Sequence, residues 1–220
     1  MAARKKSKKP KKTVERKFEV TILEGYGLSE TSPVATFNQF EFECVPGSVG
    51  QAIAGVEVRI VDTHDQPVAV GEIGEVVIRG HNIMKGYYKR PEATAEAIRN
   101  GWFHSGDLGR MDERGYVYIV DRLKDMIIRG GFNVYPRELE EVMMTHEAIA
   151  QVAVIGVPEP TLGEEVKAVV MLKPAHQASP EELMAWCKER MAAYKYPRHI
   201  DIVAAMPMTA TGKILKREMR

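Results

Sequence analysis

Two segments of period-two alternation, Val56-Glu-Val-Arg-Ile-Val61 and Gly74-Glu-Val-Val-Ile-Arg79, commit the middle of this chain to antiparallel β-structure. They are separated by a polar turn around Asp65-Gln-Pro67, and the alternation over residues 48–80 predicts a small β-sheet or barrel. Gly115-Tyr-Val-Tyr-Ile-Val120 reads as a further strand, and Pro91 opens a short helix through about Ile98 that ends near Asn100-Gly101. After Arg122 the pattern changes to alternating helix and strand, with helices predicted over 136–145 and 180–193 and strands near 151–157, 166–172 and 199–204. Ser179 can cap the later helix, with Pro180 in its first turn and Glu182 completing a capping box. Leu183, Trp186, Cys187 and Met191 share one face of it and read as core. The predicted fold class is therefore mixed α+β, a β-barrel-like part followed by a small α+β domain. From Val14 to Leu23 the pattern suggests a helix end running into a short β-branched strand that stops at Gly25-Tyr26-Gly27, a strand with no evident partner.

A length of 220 residues with 45% hydrophobic residues supports one or two globular domains. No apolar run approaches the roughly 18 residues that would span a bilayer. Cys44 and Cys187 are far apart and sit in no CxxC or Cys/His arrangement, which points away from a disulfide framework or zinc site and toward a reducing, cytoplasmic setting. Residues 1–12 hold seven Lys/Arg and no acids, whereas the remainder holds 24 basic and 30 acidic residues. Such a run could meet a nucleic acid or an anionic membrane, but no aromatic residues interleave and no DNA-reading motif follows, so no specific nucleic-acid partner is expected and the run reads as a basic tail.

Four segments combine flexible backbone with polar groups. In Glu24-Gly-Tyr-Gly-Leu-Ser-Glu30-Thr31 two glycines permit close backbone approach, a tyrosine offers a flat face for a base, and a hydroxyl and carboxylate follow; an ordinary turn would look similar. In Gly101-Trp-Phe-His-Ser-Gly-Asp107-Leu a carboxylate on a Gly-flanked turn can accept paired hydrogen bonds from a diol, as a plain hairpin turn also could, and His104 has no metal-ligand spacing around it. The charged stretch from Asp121 to Glu138 reads as a solvated linker or, through Gly130-Gly131, as backbone amides aimed at a ligand. Pro207-Met-Thr-Ala-Thr-Gly-Lys213 is a Gly-Lys loop that is not a Walker A sequence, and its lysine is a mobile point charge suited to phosphate or carboxylate oxygens.

With Gly86-Tyr-Tyr-Lys-Arg-Pro-Glu-Ala-Thr94 between them, the identity, order and spacing of these segments resemble the acyl-CoA synthetases of the adenylate-forming superfamily over residues 13–220. The stretch from Asp121 to Glu140 is of the CoA-ligase type. The resemblance implies that a carboxylic acid is joined to AMP from ATP with release of pyrophosphate, then passed to coenzyme A. It implies that Tyr26 stacks on adenine, Gly25 and Gly27 line the acyl-adenylate, and Ser29 and Glu30 contact phosphate and Mg2+. Asp107 with Arg122 would hold the ribose hydroxyls. Lys213 would stabilise the charge developing in adenylation and be open to regulatory acetylation. Lys124 would be a hinge that exchanges Lys213 for the Gly130-Gly131 loop in the thioester half-reaction.

On this reading residues 1–17 are the basic tail and helix end, 18–122 the end of the AMP-binding domain, and 125–220 the small mobile domain, with the hinge at 123–125. Ser29 and Ser105 stand where threonine is common in the family. The family's phosphate loop and acyl pocket should lie before Gly25, where the chain offers only a basic tail and a helix-strand piece. Two expectations result: a fatty-acid CoA ligase portion that acts when an N-terminal half is supplied, or a non-catalytic binding module. A medium- or long-chain fatty acid is the expected substrate, with an aryl or branched acid as the alternative.

Overall fold

The computed structural model describes residues 10–219. The basic run predicted at 1–12 therefore lies, over residues 1–9, outside the described residues. Two compact units are present: the first takes the described residues through Ser105 together with Gly109–Ile119, the second Gly106–Leu108 and the chain from Val120 onward.

The first unit opens with α1 (Pro10–Phe18), followed by three two-residue strands, β1 (Gly25–Tyr26), β2 (Thr36–Phe37) and β3 (Gln51–Ala52), in the order β1-β2-β3. The strand predicted to end at Leu23 does not form. Residues 20–24 are irregular, Val20 is exposed, and the Ile22 amide is held by the Glu15 carboxylate at 3.0 Å instead of a ladder. Pairing begins two residues later, where Gly25 and Tyr26 oppose Phe37 and Thr36, so the partner does lie within this chain.

Next come β4 (Val56–Val61), β5 (Gly74–Gly80), α2 (Pro91–Ala97), β6 (Ile98–Arg99), β7 (Trp102–Met111) and β8 (Val117–Arg122). These strands form a five-stranded sheet, β4-β5-β7-β6, with β8 on β7. Alternation sets the register: Val56 and Ile60 face the core with Val76 and Ile78, while Glu57 and Arg79 sit directly opposite one another and pair through two short bonds of 2.6 and 2.8 Å. The guanidinium groups of Arg59 and Arg79 lie 4.4 and 4.5 Å from the ring centre of Trp102. The turn predicted around Asp107 is absent: Asp107 lies inside the ten-residue β7, and only the Asn100-Gly101 pair before it turns. Two glycines of this strand have other work. Gly106 takes a positive φ of 69° within the strand, and a Cβ on Gly109 would meet Val76 and the Tyr118 carbonyl.

The second unit contains β9 (Ile127–Arg129), β10 (Phe132–Val134), α3 (Pro136–Met143), β11 (Ile149–Glu159), β12 (Gly163–Leu172), α4 (Pro180–Lys188) and β13 (His199–Ile202). Its sheet runs β10-β9-β12-β11, with β13 parallel to β12. The core joins Leu139 and Met143 of α3 and Leu183 and Cys187 of α4 to Val154, Val166, Ala168 and Val170, all at most 1% exposed. Each large aliphatic side chain so buried contributes about 1.5–3 kcal/mol. The Ser179–Glu182 capping box forms in both directions, at 3.2 and 2.8 Å. The helix predicted to reach residue 193 stops at Lys188, because the Arg190 guanidinium takes the Trp186 carbonyl at 3.0 Å and the amides of Arg190 and Met191 both turn back onto Cys187. Met191 still packs on the core from beyond the helix end. Burial pushes the Cys187 thiol up to about 11, leaving it an inert core group.

Candidate functional site

In the first unit, Gly25 and Tyr26 lie on β1 and lead into a single 3-10 turn, Ser29–Thr31. Thr31 is fully buried, and its hydroxyl accepts the Leu28 amide at 2.8 Å within reach of the Leu28 and Pro33 carbonyls. That anchor turns Ser29 and Glu30 outward, Ser29 exposed and Glu30 half-buried. Tyr26 is half-buried against the first unit's core. Gly27 has a packing reason of its own, since a Cβ there would overlap the Pro33 carbonyl. Gly27→Ala is accordingly expected to destabilise the first unit by about 1–3 kcal/mol, read as a lower urea midpoint; an unchanged midpoint would show that the turn relaxes freely.

The Glu30 carboxylate accepts the Tyr87 phenol on Oε1 at 2.9 Å, and Oε2 has no partner among the described residues. Burial, then the bond to Glu30, pushes the Tyr87 phenol up from its ordinary value. No cluster of three His, Cys, Asp or Glu side chains capable of holding a metal occurs among the described residues. A single outward carboxylate with a free oxygen nevertheless suits Mg2+, which is held by one or two carboxylates together with substrate phosphates and water. His104, read as structural, is enclosed by Glu75 at 2.9 Å and Arg99 at 2.7 Å.

In the second unit, Asp107 is 9% exposed at its side chain and pairs with Arg122 Nε at 3.4 Å. Beside it, the buried Asp121 accepts the Arg122 amide on Oδ1 and the Arg137 amide in the first turn of α3 on Oδ2, both at 2.8 Å. This carboxylate fixes both sides of the 3-10 turn Leu123–Asp125 that contains Lys124. Gly130 and Gly131 form the two-residue turn between β9 and β10, with φ of 55° and 83°, the left-handed pair that such a hairpin requires. Its base is fastened from the start of β12. Arg129 makes a bidentate pair with Glu165 at 2.6 and 2.8 Å, Glu164 takes the Ile128 amide at 2.7 Å, and the Gly130 amide reaches the Leu162 carbonyl at 2.8 Å.

Lys213 is exposed on a second hairpin, in which the Thr209 amide donates to the Lys213 carbonyl, the Lys213 amide donates to the Thr209 hydroxyl, and Gly212 takes a φ of 79°. Lys213 makes no ion pair among the described residues. Just past the hairpin, Lys216 opens a 3-10 turn and bonds Glu140 of α3 at 2.7 Å, while the same carboxylate oxygen accepts the Val154 amide at 2.8 Å. The structure thus groups Gly25, Tyr26, Gly27, Ser29 and Glu30 on one strand-and-turn segment of the first unit. Within the second it places Asp107 with Arg122, and Lys124, Gly130-Gly131 and Lys213 on three separate turns. Tyr87, Asp121, Arg129 and Glu165 were not singled out by sequence; Tyr87, Asp121 and Arg129 fall inside motifs already noted, and that was their only signal, while Glu165 had none.

The sequence model for the AMP-binding enzyme matches residues 1–88, and the model for the AMP-binding enzyme C-terminal domain matches residues 138–213. A long-chain-fatty-acid CoA ligase of Bacillus subtilis is 46% identical over 211 residues, covering 94% of this chain and 38% of that protein. A feruloyl-CoA synthase of an Amycolatopsis species is 44% identical over 202 residues, covering 91% and 41%. The chain therefore spans about two fifths of the length of these relatives. Among solved structures, ATP-bound MatB from Rhodopseudomonas palustris matches with a TM-score of 0.88 at 36% identity, covering 96% of this chain and 42% of that one. The o-succinylbenzoate CoA synthetase of Bacillus subtilis in complex with its acyl-adenylate matches at 0.85 and 33% identity, covering 94% and 43%.

Proposed function

The chain belongs to the AMP-binding, adenylate-forming enzyme family, and from that membership we propose that it is the carboxyl-terminal portion of an acyl-CoA ligase that activates a fatty acid with ATP and transfers it to coenzyme A. The supporting observation is the pairing of a nearly buried Asp107 with Arg122, an acceptor and a donor set side by side at 3.4 Å as a vicinal diol requires. The remaining assignments follow the motifs. Tyr26 stacks on adenine, Gly25 and Gly27 line the adenylate, Ser29 contacts phosphate, and Glu30 presents its free oxygen to Mg2+. Mg2+ held there would supply positive charge to the phosphate oxygens. Lys213, unpaired and exposed, is the cation for the charge developing in adenylation, and the tip of the Gly130-Gly131 hairpin meets the pantetheine arm in thioester formation. Lys124, on the turn pinned by Asp121, is the hinge between residues 18–122 and 125–220.

A long-chain fatty acid is the preferred substrate, because the fatty-acid ligase of Bacillus subtilis matches over 94% of this chain. An aryl acid is the second reading, favoured by the feruloyl-CoA synthase at 44% identity. The protein acts in the cytoplasm. Pyrophosphate exchange on the purified chain, with fatty and aryl acids tried separately, tests this reading. Exchange above background with fatty acids is expected once the preceding family segment is added. Its absence under both conditions, with every acid, would leave the chain a non-catalytic binding module.

A further inference from the structure

We propose that Tyr87 is the positioning residue for Glu30: its phenol holds one carboxylate oxygen so that the other faces a divalent cation brought in by a phosphate ligand. The inference rests on the reading of Glu30 as the cation's carboxylate. Tyr87 sits in the Gly86–Thr94 run, which the functional assignments leave without a role. Its hydroxyl donates to Glu30 Oε1 at 2.9 Å across 57 residues of sequence, and the Met84 amide donates to the Glu30 carbonyl at 2.9 Å, so side chain and backbone of Glu30 are held from the same loop.

That loop is itself braced. The Tyr87 amide donates to Thr94 Oγ1 at 2.9 Å, the Thr94 hydroxyl donates to the Arg90 carbonyl at 2.9 Å, and Gly86 packs so closely on Thr94 that a Cβ would lie 2.7 Å from its methyl. Tyr87 is 37% exposed, against 4% for the core tyrosine Tyr116, so filling the interior does not account for it. A neutral donor is the useful choice here. A lysine or arginine on Oε1 would neutralise the carboxylate, whereas a phenol orients it and leaves its charge for the cation. An unpinned glutamate must instead lose its side-chain freedom when it binds. Lys85, Lys89 and Arg90 line, together with Tyr87, an open cleft of about 620 Å³, and none of them forms an ion pair among the described residues. Their field favours an anionic, phosphate-bearing ligand beside Tyr87, whose phenol holds Glu30.

Manganese serves as the probe, its retention by the 220-residue chain in the presence of ATP being measured from the free Mn2+ resonance signal. Tyr87→Phe is expected to weaken retention about 10-fold, with ATP affinity in chelator and the urea midpoint unchanged. Added to Glu30→Gln, it is expected to cause no further loss. Equal retention by the wild type and Tyr87→Phe, or additive loss in the double variant, overturns the proposal. Should the wild type retain no Mn2+, the cation reading of Glu30 fails by itself, and side-chain couplings of Glu30 decide Tyr87. A single rotamer that becomes averaged in Tyr87→Phe supports positioning, and unchanged couplings overturn it.

Discussion

Arg129→Ala is expected to lower the unfolding free energy of the second unit by about 3–5 kcal/mol, because removing one partner of a buried ion pair strands the other charge. Arg129 and Glu165 are 14% and 8% exposed at their side chains, and Glu165 also accepts the Val166 amide at 2.7 Å, so the stranded carboxylate would have little water to turn to. Replacing both partners with apolar residues of similar volume is expected to cost much less, since no charge then remains to be desolvated. Urea denaturation followed by circular dichroism separates the two cases, and a loss below about 1 kcal/mol for the single variant would show the pair to be solvated. The pair also sets a pH dependence. Burial raises the Glu165 carboxyl, but the bonds from Arg129 and the Val166 amide outweigh it and hold the group below its ordinary value. A carboxylate depressed in the folded state stabilises fully above its unfolded value of about 4.3, and that stabilisation is lost as pH falls through the folded value. The urea midpoint should therefore fall on acidification in the wild type and fall less steeply in the doubly apolar variant.

Much of the fold was legible because its strongest signals are local. The alternation in Val56–Val61 and Gly74–Gly80 names both strands, and the Ser179–Glu182 box names the start of a helix. What could not be read depended on partners distant in sequence. Gly101 and Gly106 flank what looks like a turn around Asp107, yet Gly106 lies inside a long strand, as does Gly109, where a Cβ would meet Val76 and the Tyr118 carbonyl. The strand anticipated before Leu23 had suitable β-branched residues but no ladder to join. At the candidate site, the motif residues stand out by their type and spacing, whereas their supports do not. Tyr87 meets Glu30 across 57 residues, and Arg129 meets Glu165 across 36, distances at which pairing is decided by topology. Sequence thus pointed to groups proposed to touch substrate more readily than to the groups that hold them in place.

Lys213→Ala is expected to cut pyrophosphate exchange about 10²–10³-fold, the usual loss when one preorganised group aimed at developing charge is removed. The structure makes this variant unusually clean. The Lys213 hairpin is closed by backbone groups and the Thr209 hydroxyl, the first at 2.8 Å and the second at 3.0 Å, and the Lys213 side chain makes no ion pair among the described residues. Alanine should therefore remove the charge while leaving the hairpin and the urea midpoint as they are. Lys216→Ala supplies the contrast. It keeps Lys213 but releases the tie to Glu140 that fastens the hairpin to α3, so exchange should fall by less and amide protection in residues 207–215 should fall with it. Lys213→Arg keeps the charge but spreads it over a planar fork, and only partial recovery is expected if the group acts as a compact point charge on a phosphate oxygen. An exchange rate that survives Lys213→Ala unchanged would remove this lysine from the adenylation step, and the Gly-Lys hairpin would then owe its form to the packing of the second unit alone.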